Sequence, residues 1–534
     1  MKKARILSAI GTLVLWCIMY YVTLPPANIQ SPAFWQFLIS LVITGVAING
    51  WSIIYGIVTS GGGVKEFVNK FKVFVAIAAA LAVVYVGGYV LSSPILRAAA
   101  YRDLLEVKDG NFATDIEEVD YSTIPILDRA SAELLSERKM GSMIDMVSQY
   151  EVSSYYSQIN YNEKPFRVTP LEYGSTIKWI TNRATGIPAY IRIDMATQDV
   201  ELIKLQEGIK ISPSEYFGRD LTRYLRFRYP TIIFRSMNFE IDDNGTPYWI
   251  CTAQTQRIGL FGGTDIKGAV LLNAITGEHK YYSVEDIPQW VDKVYDADLI
   301  VEQYDYYGTL VNGYLNSVLS QKGCLQTTEG YNYIALDDDV WMYSGITSVT
   351  GDESIVGFIL ANQRTKETRY YQISGAKEYS AMASARGQVQ NLGYDATFPL
   401  LLNVAGEPTY FLALKDDAGL VKKYAMVNIE KYQIVAIGDT VYECEKNYRN
   451  IMTESGIENS PTEEALTIRG TVALVKDVVE DGNSFVYIIL AEGDAIYKIN
   501  VAKNPDVIRL KEGSEVSFSF YDGKGVSEAF DLEI

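Results

Sequence analysis

The sequence predicts an α+β protein with three N-terminal transmembrane helices, repeated helix/antiparallel-hairpin modules and a small C-terminal β-barrel. Three observations carry this expectation. Residues 6–64 contain no Asp, Glu, Lys or Arg. Four later segments share one strand–turn pattern. Residues 466–534 break into about five short β-rich runs separated by turn residues.

The membrane domain is assigned to residues 1–97. Ile6–Val22, Phe34–Thr59 and Val73–Leu96 are apolar runs, each near the length of about 20 residues that spans a bilayer as helix. Lys2, Lys3 and Arg5 precede the first run, and Lys65, Lys70 and Lys72 lie between the second and third. The connection PPANIQSPA is uncharged. Basic loops stay cytoplasmic, so the expected arrangement is a multi-pass cell-membrane protein. Its N-terminus is cytoplasmic and everything after residue 97 is extracytoplasmic, in a periplasm or a Gram-positive wall zone. A cleaved signal peptide is the alternative for the first run, but Cys17-Ile18-Met19-Tyr20-Tyr21 stays bulky where a cleavage site needs small residues.

Charge separates the two regions. The first 99 residues hold seven basic side chains and one acidic. Against −18 for the whole chain and +6 for that segment, the remainder carries −24. Such a field repels phosphate backbones, so no nucleic-acid partner is expected. A single histidine, His279, excludes most imidazole chemistry. The four cysteines have no CxxC spacing, and neither a zinc knuckle nor a redox motif is expected. No catalytic, cofactor-binding or metal-ligating residue is assigned.

Residues 98–165 are expected to be a helical connector. The repeats follow, at 166–212, 213–286, 287–374 and 375–456, the last including a further helix. Phe239–Tyr282 is the clearest of them: an Asp-Asp-Asn-Gly turn, a strand with Trp249, a Gly-rich loop, the strand GAVLLN, and the turn Thr276-Gly277-Glu278. Each repeat is expected to place an aromatic on its first strand: Trp179, Trp249, Trp341 and Phe411. Each ends its second strand in Asp194, Asn273, Asn362 or Asn428. Three residues on come Thr197, Thr276 and Thr365, then Lys431 in the fourth. A short amide or carboxylate there bonds backbone N–H groups two residues ahead and turns the chain.

A helix, Tyr229-Pro230, a strand, Asp-Asn-Gly-Thr-Pro-Tyr-Trp and Leu-Leu-Asn-Ala-Ile-Thr-Gly-Glu together resemble a PepSY-type module. The resemblance runs over about residues 165–435 and is fullest in the second repeat. It implies a helix on a short antiparallel sheet, and binding or restraint of other envelope proteins rather than catalysis. The module at 466–534 resembles an OB-like barrel. It carries 7 basic and 12 acidic residues, which favours a capping or protein-contact use over nucleic acid. The whole chain resembles large membrane proteins of Gram-positive bacteria.

The expected function is therefore a non-enzymatic, membrane-anchored extracytoplasmic protein whose partners are the lipid bilayer and an envelope or membrane protein, with a homo-oligomer left open. One alternative is a structural subunit of a larger envelope assembly. Another is a carboxylate-based envelope hydrolase drawing on Asp242, Asp243, Asp338 and Asp339. Calcium at Asp242-Asp243-Asn244 or Asp337-Asp338-Asp339 is disfavoured, because neither has the alternating spacing of a calcium loop. GLFGGTDIKG (259–268) lacks the residues of a phosphate loop and is expected to be a mobile hairpin loop.

Overall fold

The computed structural model describes residues 2–59, 64–116, 118, 124–336, 338–350, 354–455, 457, 466–480, 483–502, 504–520 and 526–534. Asp337 and most of the acidic linker before residue 466 lie outside them. The architecture is mixed α+β. Three long helices come first: α1 (Lys2–Thr23), α2 (Pro32–Thr59) and α3 (Val64–Leu91). Among the described residues Phe74–Leu91 is long and apolar enough to cross a membrane, and Ser8–Thr23 and Pro32–Ile48 are shorter apolar stretches.

The chain divides into two compact units. Met1–Met382, with Phe398–Leu402 and Ile429–Tyr432, forms the first. Among the described residues it holds three sheets. The first sheet runs over residues 150–209, with Lys164–Tyr173, Ile187–Asp194 and Val200–Ile209 as successive antiparallel neighbours. The second is a four-stranded antiparallel meander from Ile233 to Ser283. The third contains Asp339–Ser348, Ser354–Asn362 and Thr368–Ala376, and Val107–Asp109 joins its edge in parallel.

The second sheet is the middle layer. On its central strands Trp249, Cys251, Val270 and Leu272 enter a core shared with Tyr190, Ile191 and Ile193 of the first sheet. Ile250, Ala269 and Leu271, one residue out of phase, enter a second core. That core is shared with Met342 and Ile359 of the third sheet and with Leu299 and Ile300 of the helix Ala297–Thr309. Successive strand side chains point to opposite faces. Burial of both faces therefore requires a continuous apolar run, and TyrTrpIleCys and AlaValLeuLeu are such runs.

The second unit comprises Ala383–Thr397, Asn403–Asn428 and Gln433–Ile534. Its sheet pairs Glu407–Lys415 with Val421–Asn428, and the latter with Val435–Gly438, which the helix Val441–Glu454 covers. Beyond the linker, five strands from Leu466 to Glu533 close into a barrel, ordered first-second-third-fifth-fourth and back to the first. Only the third and fifth run parallel. Closure removes the exposed edges that a small sheet would otherwise present. The interior is filled by residues such as Val486, Ile488, Ile499 and Phe518.

Two expectations about the chain before residue 213 need correction. The stretch 98–165 is not simply a helical connector. It supplies Val107–Asp109 to the third sheet, and Tyr150–Val152 and Ser157–Tyr161 to the first. Met143–Val147 forms turns, although Arg129–Gly141 is a helix capped by the Asp128 carboxylate, which accepts from Ser131 N. Trp179 is on a helix, Thr176–Asn182, and not on a strand. Ser175 Oγ accepts from Lys178 N and starts that helix. In the first module the strand pairing with Ile187–Asp194 is instead Lys164–Tyr173.

Candidate functional site

The repeated turns are the first feature built identically more than once. Asp194 Oδ1 accepts from Ala196 N at 2.9 Å and Thr197 N at 3.0 Å. Asn273 Oδ1 accepts from Ile275 N and Thr276 N, both at 2.9 Å. Asn362 Oδ1 accepts from Arg364 N at 2.8 Å and Thr365 N at 2.9 Å. The threonine hydroxyl of each turn then accepts the N–H two residues on, from Asp199, Glu278 and Glu367. The fifth turn residue is left-handed in all three: Gln198 at φ 65°, Gly277 at φ 77°, Lys366 at φ 69°. Glycine adopts this conformation without steric cost, and only the second turn uses it. The fourth turn is one residue longer: Asn428 N donates to Ile434 O, six residues on, where Asp194, Asn273 and Asn362 donate five residues on.

Trp249, Trp341 and Phe411 lie on strands. Asp194 is opposite Phe166, Asn273 opposite Tyr248, Asn362 opposite Trp341 and Asn428 opposite Thr409. Of the four aromatics, Trp341 is the one directly opposite its turn residue. Trp249 lies one position further along its strand and Phe411 two. Trp249 Nε1 donates to Ile211 O at 2.9 Å, and Trp179 Nε1 to Glu215 Oε2 at 2.8 Å. Phe411 stacks on Tyr424. These residues serve the cores.

The carboxylates weighed for hydrolysis sit in separate structural roles. Asp242 Oδ1 accepts from Asn244 N and Thr246 N and closes its own turn. Asp339 is held by Arg364 through both oxygens, at 2.6 and 2.7 Å, and by Asn362 Nδ2 at 2.8 Å. Asp338 and Asp243 are exposed. Partial burial first, and then the charges of Asp339, Asp243 and Glu163, raise the Asp338 carboxyl above its usual range. Among the described residues no group of three or more His, Cys, Asp or Glu side chains could hold a metal ion. All four cysteines are free. His279 Nδ1 is 2.8 Å from Tyr229 Oη, and burial followed by the Arg228 charge lowers its pKa.

Two features that the sequence did not signal stand out. One is a buried polar cluster. Glu240, on a strand of the middle sheet, is fully buried and accepts from Asp292 N at 3.0 Å and Lys293 N at 3.1 Å. Asp292 is 1% exposed, and its Oδ2 accepts from Asn160 N of the first sheet at 2.8 Å. Burial pushes the Glu240 carboxyl up to about 7 despite its two donors. Burial, then the Glu240 charge, raises Asp292 well above its usual value.

The other is a seat between the middle sheet and the ends of the long helices. Ala27 N donates to Pro230 O at 2.7 Å, Asn28 Nδ2 to Thr231 O at 2.9 Å and Gln30 Nε2 to Gln256 O at 2.8 Å. Arg226 is buried, with Nε on Leu24 O at 2.9 Å and Nη1 on Ile232 O at 2.6 Å. Just beyond α3, Ser92 Oγ accepts from Leu260 N and Phe261 N. Phe261 lies over Tyr89, centroids 4.7 Å apart. A Cβ on Gly88 would meet the Phe261 ring at 2.6 Å, so glycine there lets the loop approach. The loop expected to be mobile is thus packed against α3 through Leu260 and Phe261.

The seat makes a direct prediction. Arg226→Ala removes the donor from the buried Leu24 carbonyl and the half-buried Ile232 carbonyl, at about 1–3 kcal/mol for the buried group left unsatisfied. Hydrogen exchange should quicken at residues 24–31 and 229–232 and stay unchanged in the barrel strands. Unaltered exchange at the seat would show that Arg226 does not hold it.

An open groove of about 490 Å³ lies in the second unit, lined by residues including Val389, Leu392, Lys423, Asn447 and Ile451.

No family model matches the sequence, and no curated protein matches it. Among solved structures the chain is similar to the crystal structure of an ACO/RPE65 chimera, at 9% identity and a TM-score of 0.15, covering 73% of this chain and 66% of that one. The chain thus spans just under two thirds of that protein, and a likeness at this TM-score carries no argument.

Proposed function

We propose that this is a membrane-anchored extracytoplasmic binding protein without catalytic activity, whose sheet modules engage an envelope protein. In this reading α1, α2 and α3 cross the membrane with the N-terminus inside, and the sheets lie outside. The modules are PepSY-like and the barrel is OB-like. The seat carries the reading. Main-chain and side-chain hydrogen bonds clamp the middle sheet to the helix ends, and that sheet shares a core with each neighbour. Such a block holds binding surfaces at a fixed height and direction from the bilayer.

Exposed tyrosines on the first unit suit protein contact, since Tyr offers large amphipathic area at low entropy cost. Tyr379 is 51% exposed and Tyr432 46%. The test is photo-crosslinking in native membranes from positions 281, 307, 379 and 432 in the full chain. One dominant heterologous adduct, obtained from some of these positions and not others, is expected. Adducts to the chain itself alone, or none, would overturn the binding assignment.

A further inference from the structure

The segment Phe217–Arg228 reads FGRDLTRYLRFR, with four arginines and one aspartate. It belongs to a region of strongly acidic balance, so this local excess of positive charge is conspicuous. It is also continuous with the end of α1. Phe227 packs edge-on against Tyr20 with centroids 6.3 Å apart, and lies tilted against Tyr21 at the same distance. The Arg223 guanidinium lies 4.4 Å over the Tyr21 ring. Arg226, in the same helix turn, holds the Leu24 carbonyl at 2.9 Å.

Two large aromatic side chains of this segment remain uncovered. Phe227 is 55% exposed and Phe217 62%. Phe217 is also left-handed, at φ 55°, a conformation that is strained for a bulky residue. Its carbonyl accepts from Arg223 Nη1 at 3.2 Å, and its ring and that of Tyr216 flank Trp179. The backbone is thus held in an unfavourable conformation that presents an apolar ring to solvent. Strain of this kind persists only where surrounding structure enforces it. Arg228 is exposed, its guanidinium over the Tyr224 ring and its Nη1 donating to Tyr224 O at 3.1 Å, and Arg219 is half-exposed, with Nη1 donating to Arg183 O.

We infer that Phe217–Arg228 lies on the outer leaflet of the membrane that α1 enters, with Phe217 and Phe227 at the headgroup–acyl boundary and Arg219 and Arg228 on lipid phosphates. The occupant is phospholipid, with anionic headgroups favoured. Continuity with α1 sets the depth: Tyr20 and Tyr21 stand where interfacial aromatics belong, and Phe227 touches both. The paired apolar and basic character is that of an interfacial helix, and arginine binds phosphate through its planar fork. This contact would add a second attachment of the sheets to the bilayer, beside the clamp at the helix ends. The inference rests on the membrane placement proposed above.

The test uses the full chain in nanodiscs of phosphatidylethanolamine and phosphatidylglycerol in equal amounts. Cys17→Ser removes the exposed native thiol; the other three cysteines are buried. Nitroxides are attached singly at Phe217→Cys and Phe227→Cys, with Val14→Cys in the middle of α1 and Val479→Cys on the barrel as references. Relaxation by oxygen is compared with relaxation by a water-soluble nickel chelate. Oxygen should dominate at 14, 217 and 227, and nickel at 479. Oxygen at 14 with nickel at 217 and 227 would overturn the inference while leaving the membrane placement standing. Nickel at 14 as well would overturn both.

A second arm replaces phosphatidylglycerol with phosphatidylcholine, in the parent and in Arg219→Gln/Arg228→Gln. Loss of anionic lipid should weaken the oxygen preference at 217 in the parent and leave the variant unchanged. Equal responses would overturn the phosphate contacts.

Discussion

Trp249→Ala is expected to destabilise the first unit by about 3–5 kcal/mol, the range for truncating a large buried aromatic. Trp249 is 0% exposed. It packs against Phe239 and Tyr155, both with centroids 5.3 Å away, and ties Ile211 O through its indole N–H. Its removal empties the core between the first two sheets. A cavity of that kind collapses only in part, because strands on both sides are fixed by their own ladders. Trp249→Phe isolates one component: it keeps most of the volume and strands the Ile211 carbonyl, for about 1–3 kcal/mol. Chemical denaturation in detergent, read through near-ultraviolet circular dichroism, checks both. Equal losses for the two variants would mean that the hydrogen bond, and not the packing, dominates.

The second large effect is on pH dependence. The Glu240 carboxyl is raised from 4.5 to about 7 by burial. In that window the folded state binds a proton that the unfolded state has released. The stability contributed by the protonated Glu240 carboxyl therefore falls as pH rises from about 4.5 to about 7. Asp292, raised in the same direction, adds to this loss. Glu240→Gln removes one titration while retaining an oxygen for one of the two N–H donors. Its denaturation midpoint should change less between pH 5 and pH 8 than the parent's. The slope is the readout, since the amide also alters one hydrogen bond. Parallel pH profiles would show that Glu240 does not titrate in that window.

The sequence revealed the middle sheet because burial on both faces writes itself as uninterrupted apolar runs, and Trp249 to Cys251 and Ala269 to Leu272 are such runs. It revealed the turns because Asp194, Asn273 and Asn362 act locally, through N–H groups two and three residues away. Trp179 was misplaced because Ile177–Thr181 offers only five residues, too short a window to separate a strand from one helical turn and a half. Val107–Asp109 pairs with Thr368–Tyr370, and three residues joining a distant sheet leave no periodicity to read. The Glu240–Asp292 cluster and the seat were illegible for the same reason. Each is made by residues far apart in the chain, and neither an interior Glu nor a buried Arg226 is marked by its neighbours.

In the proposed arrangement the sheets stand outside the membrane on the ends of α1 and α3. This placement is tested most directly by labelling a cysteine at Ile144, which is 88% exposed, in spheroplasts of cells that make the full chain. The parent for this is Cys17→Ser. A membrane-impermeant maleimide should label Ile144→Cys in intact spheroplasts as fully as after permeabilisation. Labelling only after permeabilisation would place the sheets in the cytoplasm and contradict the account.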